Sequence, residues 1–330
     1  MAAEVILDKV YEREESSAWA NRVWLTQPTG GGAVKDYTHK EAIDRARRMA
    51  AYLKSKNFEP GSKIAVISKN CAHFFITELA IWMAGYVSVP IYPTLTADSV
   101  RQILEHSQAK ACFVGKLDEW PQMKPGIPDG VQCISYPLSP ENDYPTWDAL
   151  VKANAPLEPV AQRGLDDLAT VIYTSGTTGM PKGVMHPFRT FVVGPEITRE
   201  GFGASADDRV LSYLPLAHVA ERVFVEANAL AIGFKIYFAE SLDTFVADLH
   251  RARPTMFFSV PRLWTKFQQG VEAKIPGPKL KRLLKLPVIG GLVRRKILKG
   301  LGLDAVRFAG GGASPLPPPL LSWYRDLGLE

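Results

Sequence analysis

Cysteine is scarce in this 330-residue chain, which holds only Cys71, Cys112 and Cys133. Three thiols at wide spacing exclude a disulfide framework. With no Cys-x-x-Cys pair or Cys/His cluster, they give no zinc signature either. Cys112 lies inside an apolar run, so reduced structural thiols and a cytoplasmic setting are expected. The opening residues lack the basic and apolar blocks of a signal peptide, which fits that setting. Long apolar runs are also wanting. Residues 79–97 carry no charge, but Gly85, Pro90 and Pro93 interrupt them and Asp98 closes them. A helix ending near Gly85 and then a short strand is expected there, not a membrane span. Charge of one sign is modest: the net +5 and pI near 9.0 suit anionic small ligands or an anionic surface and give no case for nucleic acid. What the chain does have is apolar content, 46%, enough for a large core spread over about two domains.

Apolar runs alternate with helical periodicity. Thr38 and Glu41 form a capping-box pattern, followed by Ile43, Ala46, Met49, Ala50 and Leu53 at helical spacing. A strand is expected over 63–68, a helix over 72–84, a strand over 86–91, a helix over 97–108 and a strand over 110–114. Residues 116–165 are proline-rich and read as the passage between two subdomains, 1–165 and 166–330. The alternation then resumes, with helices at 188–199, 219–232, 242–252 and 261–274 and strands at 209–214, 234–239, 255–259 and 305–309. Such alternation implies an α/β fold of doubly wound, mostly parallel sheets.

Chemistry concentrates at residues 173–183. Leu168 to Tyr173 reads as a buried strand. It opens into Thr174, Ser175, Gly176, Thr177, Thr178, Gly179, Met180, Pro181, Lys182 and Gly183. Hydroxyl and backbone N–H donors, glycines at 176, 179 and 183, and one mobile cation suit a phosphate. The spacing is not that of a Walker A loop, because Pro181 stands where its second glycine would fall. An ordinary Ser/Thr/Gly loop is the plain alternative.

The segment 173–183 resembles the signature loop of the AMP-binding, adenylate-forming enzymes, which include acyl-CoA synthetases, luciferases and peptide-synthetase adenylation domains. Three more segments resemble that superfamily in order. Residues 214–222, Leu-Pro-Leu-Ala-His-Val-Ala-Glu-Arg, look like its Pro-Leu-x-His segment in the long-chain acyl-CoA synthetase form. Residues 259–264, Ser-Val-Pro-Arg-Leu-Trp, resemble a wall of the acyl tunnel. Residues 310–315, Gly-Gly-Gly-Ala-Ser-Pro, resemble the loop flanking the adenine. The likeness runs from about residue 24 to the end and is nearest to a bacterial long-chain fatty acid–CoA ligase.

The resemblance implies substrates ATP, Mg²⁺, a fatty acid and coenzyme A. It implies that Thr174, Ser175, Gly176, Thr177, Thr178, Gly179 and Lys182 grip the phosphates and that Lys182 neutralises them as pyrophosphate forms. His218 would cap the acyl site, Gly311, Gly312, Ala313, Ser314 and Pro315 would flank the adenine, and Trp264 would gate the acyl tunnel. The plain alternatives are a structural histidine, a core tryptophan and an ordinary strand-to-helix turn. The family's magnesium-binding Glu, ribose-gripping Asp and mobile C-terminal domain would fall beyond residue 330. The expectation is therefore a chain that is inactive alone. It would be either the N-terminal portion of such a ligase or a non-catalytic ATP- or acyl-binding fragment or degenerate paralogue. An acyl-AMP ligase feeding a carrier protein also remains open, and a homodimer is compatible with the family.

One segment is not explained by the motif. From 273 to 303 there are nine basic residues and no acidic one, interleaved with leucine, isoleucine and valine. This reads as a basic amphipathic hairpin over 279–299 with its bend at 287–291. It is either a solvated face packed on the body or a peripheral contact with an anionic membrane at the inner face.

Overall fold

The computed structural model describes residues 5–174 and 181–329. Its strands are β1 (Val23–Gly30), β2 (Ala33–Thr38), β3 (Lys63–Ile67), β4 (Val87–Ile91), β5 (Ala111–Val114), β6 (Gln132–Ser135), β7 (Leu168–Thr174), β8 (Lys182–Pro187), β9 (Arg209–Ser212), β10 (Lys235–Phe238), β11 (Met256–Ser259) and β12 (Phe308–Gly311). They form a six-stranded sheet ordered β6-β5-β3-β4-β7-β8, a four-stranded sheet ordered β2-β1-β10-β9 and the pair β11-β12. The fold is α/β with mostly parallel pairing, as the alternation of elements requires.

Two pairs break the parallel rule. β1 and β2 are an antiparallel hairpin turning through Gly31 and Gly32, both at positive φ. Pro28 and three consecutive glycines hide this pair from a search for apolar alternation. β7 and β8 are also antiparallel, in register from Leu168↔Pro187 to Thr174↔Lys182. The chain returns along β7 before entering the helix Thr190–Phe202. Strands from both sides of residue 165 share the six-stranded sheet, and β1 shares a sheet with β9 and β10.

Helix Ala72–Met83 is buried along its whole length, which accounts for its lack of exposed polar positions. Helix His39–Ser55 lies against it with Ala42, Ile43, Ala46, Met49, Ala50 and Leu53 facing inward. Its cap is half of the expected box. Thr38 Oγ1 accepts from Glu41 N at 3.2 Å, while the Glu41 carboxylate turns to Arg45 Nε at 3.3 Å. A separate core gathers Trp264, Phe267, Leu280, Leu284, Ile297 and Trp323 around β11. No helix among the described residues is long and apolar enough to cross a membrane. All three cysteines are free.

Candidate functional site

The four motif segments all follow the carboxyl ends of parallel strands, where open α/β sheets place their ligands. The phosphate-loop motif leaves β7, residues 213–218 leave β9, Val260 leaves β11 and Gly312 leaves β12.

Of the phosphate-loop residues, Ser175, Gly176, Thr177, Thr178 and Gly179 lie outside the described residues. The two ends of the loop are described. Thr174 and Lys182 stand opposite one another at the end of the β7–β8 ladder, both exposed. Lys182 is therefore carried by a strand, with its side chain exposed. Gly183 was expected to serve the turn. Instead it sits within β8, where a Cβ would come within 2.8 Å of Val171 and 3.1 Å of the Tyr173 ring. The glycine answers to packing, and Tyr173 is fixed in turn by a 2.7 Å hydrogen bond between its hydroxyl and His106 Nδ1.

His218 caps the helical stretch Val219–Ile232: its Nδ1 accepts from Ala220 N at 3.1 Å. With Nδ1 an acceptor, the neutral ring carries its proton on Nε2, and the side chain is exposed. The plain structural role and an outward-facing N–H donor thus coexist in one imidazole.

The turn bearing His218 is fastened from below. Asn70 Nδ2 donates to Ser212 Oγ at 2.8 Å, to Leu214 O at 2.6 Å and to Glu221 Oε1 at 3.2 Å, while Asn70 Oδ1 accepts from Leu216 N at 3.0 Å. Glu221 Oε1 also accepts from Ser212 Oγ at 2.6 Å and Tyr213 N at 3.1 Å. Burial pushes the Glu221 carboxyl up to about 8, so it is mostly protonated at neutral pH. Next to it, Arg222 is fully buried between Glu78, which it hydrogen-bonds, and Glu226, 3.6 Å away. Burial works against the Arg222 charge, but Glu226 and Glu78 outweigh it and hold the guanidinium above its usual range. Burial likewise raises Glu226 to about 8 despite Arg222. The chain of contacts continues from Glu78 to Ser88 Oγ and from Ser88 O to Thr170 Oγ1 at 3.1 Å, reaching β7. One buried polar line therefore joins the strand that leads into the phosphate-loop motif to the helix behind His218. The helix widens to π-type turns over 222–227 where it carries these charges, a distortion common beside functional sites. Reading by motif noted Glu221 and Arg222 only as letters of a segment. Their charge in an otherwise apolar helix was the available signal.

Two motif segments touch, and the residue preceding a third reaches the strand that one of them leaves. Tyr213 Oη donates to Phe258 O at 3.0 Å, Gly312 N to Ser259 O at 3.2 Å, and Trp264 Nε1 to Gly310 O at 3.2 Å. The last strand, expected at 305–309, runs later, so Gly310 and Gly311 are strand residues paired with Phe258 and Ser259. The Gly310–Gly312 backbone lies flat on an aromatic ring belonging to the protein. A Cβ at Gly312 would meet Phe258 Cζ at 2.4 Å and one at Gly310 would meet Cδ2 at 3.0 Å. Phe258 is itself stacked on Phe224 at 4.4 Å. Ala313 holds φ +69°, and Gly311, Ala313, Ser314 and Pro315 are exposed. Trp264 is 3% exposed, edge-on to Phe257 and Tyr324. It braces the glycine strand from within the core.

No group of three or more His, Cys, Asp or Glu among the described residues could hold a metal ion. Two open clefts, about 570 Å³ beside Tyr52 and Lys124 and about 260 Å³ beside Arg22 and Asp207, lie away from the motif segments.

Mostly parallel sheets with glycine-bearing segments leaving the strand ends define an α/β protein of the kind that takes its ligand at those ends. The model of the AMP-binding enzyme family matches residues 13–330, and the chain belongs to that family. It is 28% identical to long chain acyl-CoA synthetase 7, peroxisomal, of Arabidopsis thaliana over 92% of this chain and 48% of that protein. It is 30% identical to the human long-chain-fatty-acid–CoA ligase ACSBG2 over 78% of this chain and 41% of that protein. The A-PCP didomain of carboxylic acid reductase from Segniliparus rugosus, solved in complex with AMP, superposes with a TM-score of 0.78 at 22% identity, covering 99% of this chain and 51% of that one. The chain spans about half the length of the curated relatives it matches.

Proposed function

We propose that this chain supplies the phosphate- and acyl-handling portion of an ATP-dependent long-chain fatty acid–CoA ligase. The observation that supports the reading is the Thr174–Lys182 pair, exposed at the end of the β7–β8 ladder on either side of the signature loop, in a chain that the AMP-binding family model matches over residues 13–330. The names of the relatives supply the substrate class. In the first half-reaction a carboxylate oxygen of the fatty acid attacks the α-phosphorus of ATP. The bond to pyrophosphate breaks, and acyl-AMP forms. The nucleophile arrives ionised, so the protein needs to position and neutralise rather than to activate. Thr174 and the loop hydroxyls would donate to phosphate oxygens, Lys182 would offset the charge of the departing pyrophosphate, and His218 Nε2–H would face the acyl carboxyl. Gly311 to Pro315 would border the adenine. Coenzyme A sulfur would then attack the acyl carbon and release AMP. Trp264, in its core position, would act on the acyl site through the glycine strand it holds.

The test is ligand-induced stabilisation. ATP with magnesium, or a non-hydrolysable acyl-adenylate analogue, should raise the melting temperature, by about 2.7 kcal/mol of stability at a hundredfold excess over Kd. Lys182→Ala should weaken the ATP effect at least tenfold without altering the ligand-free melting temperature. Absence of any shift with either ligand sinks the reading. A shift accompanied by no ATP–pyrophosphate exchange in a longer protein containing this chain would favour a binding fragment.

A further inference from the structure

We infer that the helical hairpin formed by Gly277–Leu284 and Ile289–Leu301 is a docking surface for an anionic lipid bilayer. The inference goes beyond the nucleotide site and does not depend on it.

The charge distribution is the first observation. The chain has 39 basic and 34 acidic residues, and residues 273–303 take nine of the basic and none of the acidic. The rest therefore holds 30 basic against 34 acidic residues, a net −4. The whole positive balance of the protein resides in this stretch, with every one of its cations but Lys274 in the hairpin, and the remainder would be repelled by an anionic surface. Lys279, Lys281, Arg282 and Lys285 are exposed on and just after the first helix, and Arg295, Lys296 and Lys299 on the second. Elsewhere many arginines are paired, among them Arg47 with Glu14, Arg222 with Glu78 and Arg307 with Asp208. None of the hairpin's exposed cations has an ion pair among the described residues.

The apolar residues divide sharply. Leu280, Leu284 and Ile297 are buried in the core around Trp264 and explain why the helices amphipathically pack on the body. Leu286, Val288, Ile289 and Leu292 at the tip are left out, exposed by 45, 81, 47 and 64%. Val288 is also held at φ +63°, ψ −55°, a conformation costly for a β-branched residue, with its side chain in water. The tip is nevertheless anchored. The helices approach so closely that a Cβ on Gly290 would meet Leu284 O at 2.4 Å, and Arg294 Nε donates to Asp326 O at 2.7 Å. An anchored apolar tip backed by unpaired cations matches a bilayer. The cations meet anionic headgroups, and the tip enters the boundary with the acyl chains. Helices of eight and thirteen residues are too short to cross it.

The test is sedimentation of the folded protein with vesicles of phosphatidylcholine alone or mixed with phosphatidylglycerol. The protein should bind only the anionic vesicles and should be released as salt rises from about 0.1 M to about 1 M and the Debye length shrinks from ~10 Å to ~3 Å. Each cation at an anionic leaflet strengthens partition roughly fivefold, so Lys281→Gln with Arg282→Gln and Lys285→Gln should weaken it about a hundredfold. Val288→Ser with Leu292→Ser should weaken it with every charge in place, and circular dichroism checks that this variant folds. No binding to anionic vesicles at low salt, equal binding to neutral ones, or unchanged binding by the charge variant each overturns the inference. So does a dimer in solution that the tip variant converts to monomer while vesicles bind neither form. Should the tip variant fail to fold, the charge variant, altered only at exposed positions, still decides.

Discussion

The molecule handles charge in two opposite ways. Behind the motif segments, Glu78, Arg222, Glu226 and Glu221 are sealed from water. In the hairpin over 277–301 the cations face solvent and have no ion partner among the described residues. Burying charge is expensive unless each group is paired or neutralised. The inner cluster uses both devices: a guanidinium shared between two carboxyl groups, and carboxyl groups that burial keeps protonated. Such a cluster adds little stability over an apolar core of the same shape, but it fixes one geometry. Here that geometry is the relation of β7 to the helix behind His218. The outer charges fix nothing inside the chain, and their arrangement makes sense only toward something else.

The comparison breaks first at Arg222. Arg222→Leu leaves the carboxyl groups of Glu78 and Glu226 buried without the guanidinium that both face. The loss should be about 3–5 kcal/mol in urea unfolding. A loss below about 1 kcal/mol would mean that the inner cluster is not a charged network. Arg222→Leu with Glu78→Gln should recover part of the loss, because the two changes act on one contact.

How much of this was legible in the sequence differs between the same two regions. The hairpin was readable because its signal is local: nine cations and the leucines between them lie in one stretch. The α/β alternation and the four motif segments were legible for the same reason. The inner cluster was not, because Asn70, Glu78, Ser88, Thr170 and Ser212 are scattered along the chain and meet only through sheet order. The glycines show the same limit. Gly183 and Gly312 stand out in the motifs, and loop freedom toward a ligand is the natural reading. In the fold they make room for Tyr173 and Phe258, neighbours that only the β7–β8 and β11–β12 registers reveal. Trp264 follows suit: its place on an apolar helix face was visible, its bond to Gly310 O was not.

A subtler test uses pH. Glu221 moves from an ordinary 4.5 to about 8 on folding. Between those values the folded state binds a proton that the unfolded state does not. Stability from this group is therefore complete below about 4.5 and is lost as pH rises through 8, with a slope of about 1.4 kcal/mol per pH unit at most. Glu221→Gln keeps an oxygen to accept from Ser212, Tyr213 and Asn70 and cannot ionise. Unfolding free energy measured from pH 5 to pH 8 should fall less steeply in this variant than in the wild type. Equal slopes would show that Glu221 is ionised in the fold and that the inner cluster carries more charge than its burial allows.

The smallest effect on stability belongs to the outer charges. Lys281 and Arg282 stand in the last turn of their helix, where cations favour the helix dipole by about 0.3–1 kcal/mol. They also repel one another and Lys285, so neutralising them relieves a comparable cost. The two terms oppose, and Lys281→Gln with Arg282→Gln should change the unfolding free energy by no more than about 0.5 kcal/mol. The same double change should visibly weaken attachment to anionic vesicles. That pairing sharpens the contrast more than either measurement alone: a buried charge is felt in folding, and an exposed unpaired one only in what the protein meets. A loss of more than about 2 kcal/mol on neutralising the pair would mean that these cations are held by the fold, and the distinction between the two regions would fail.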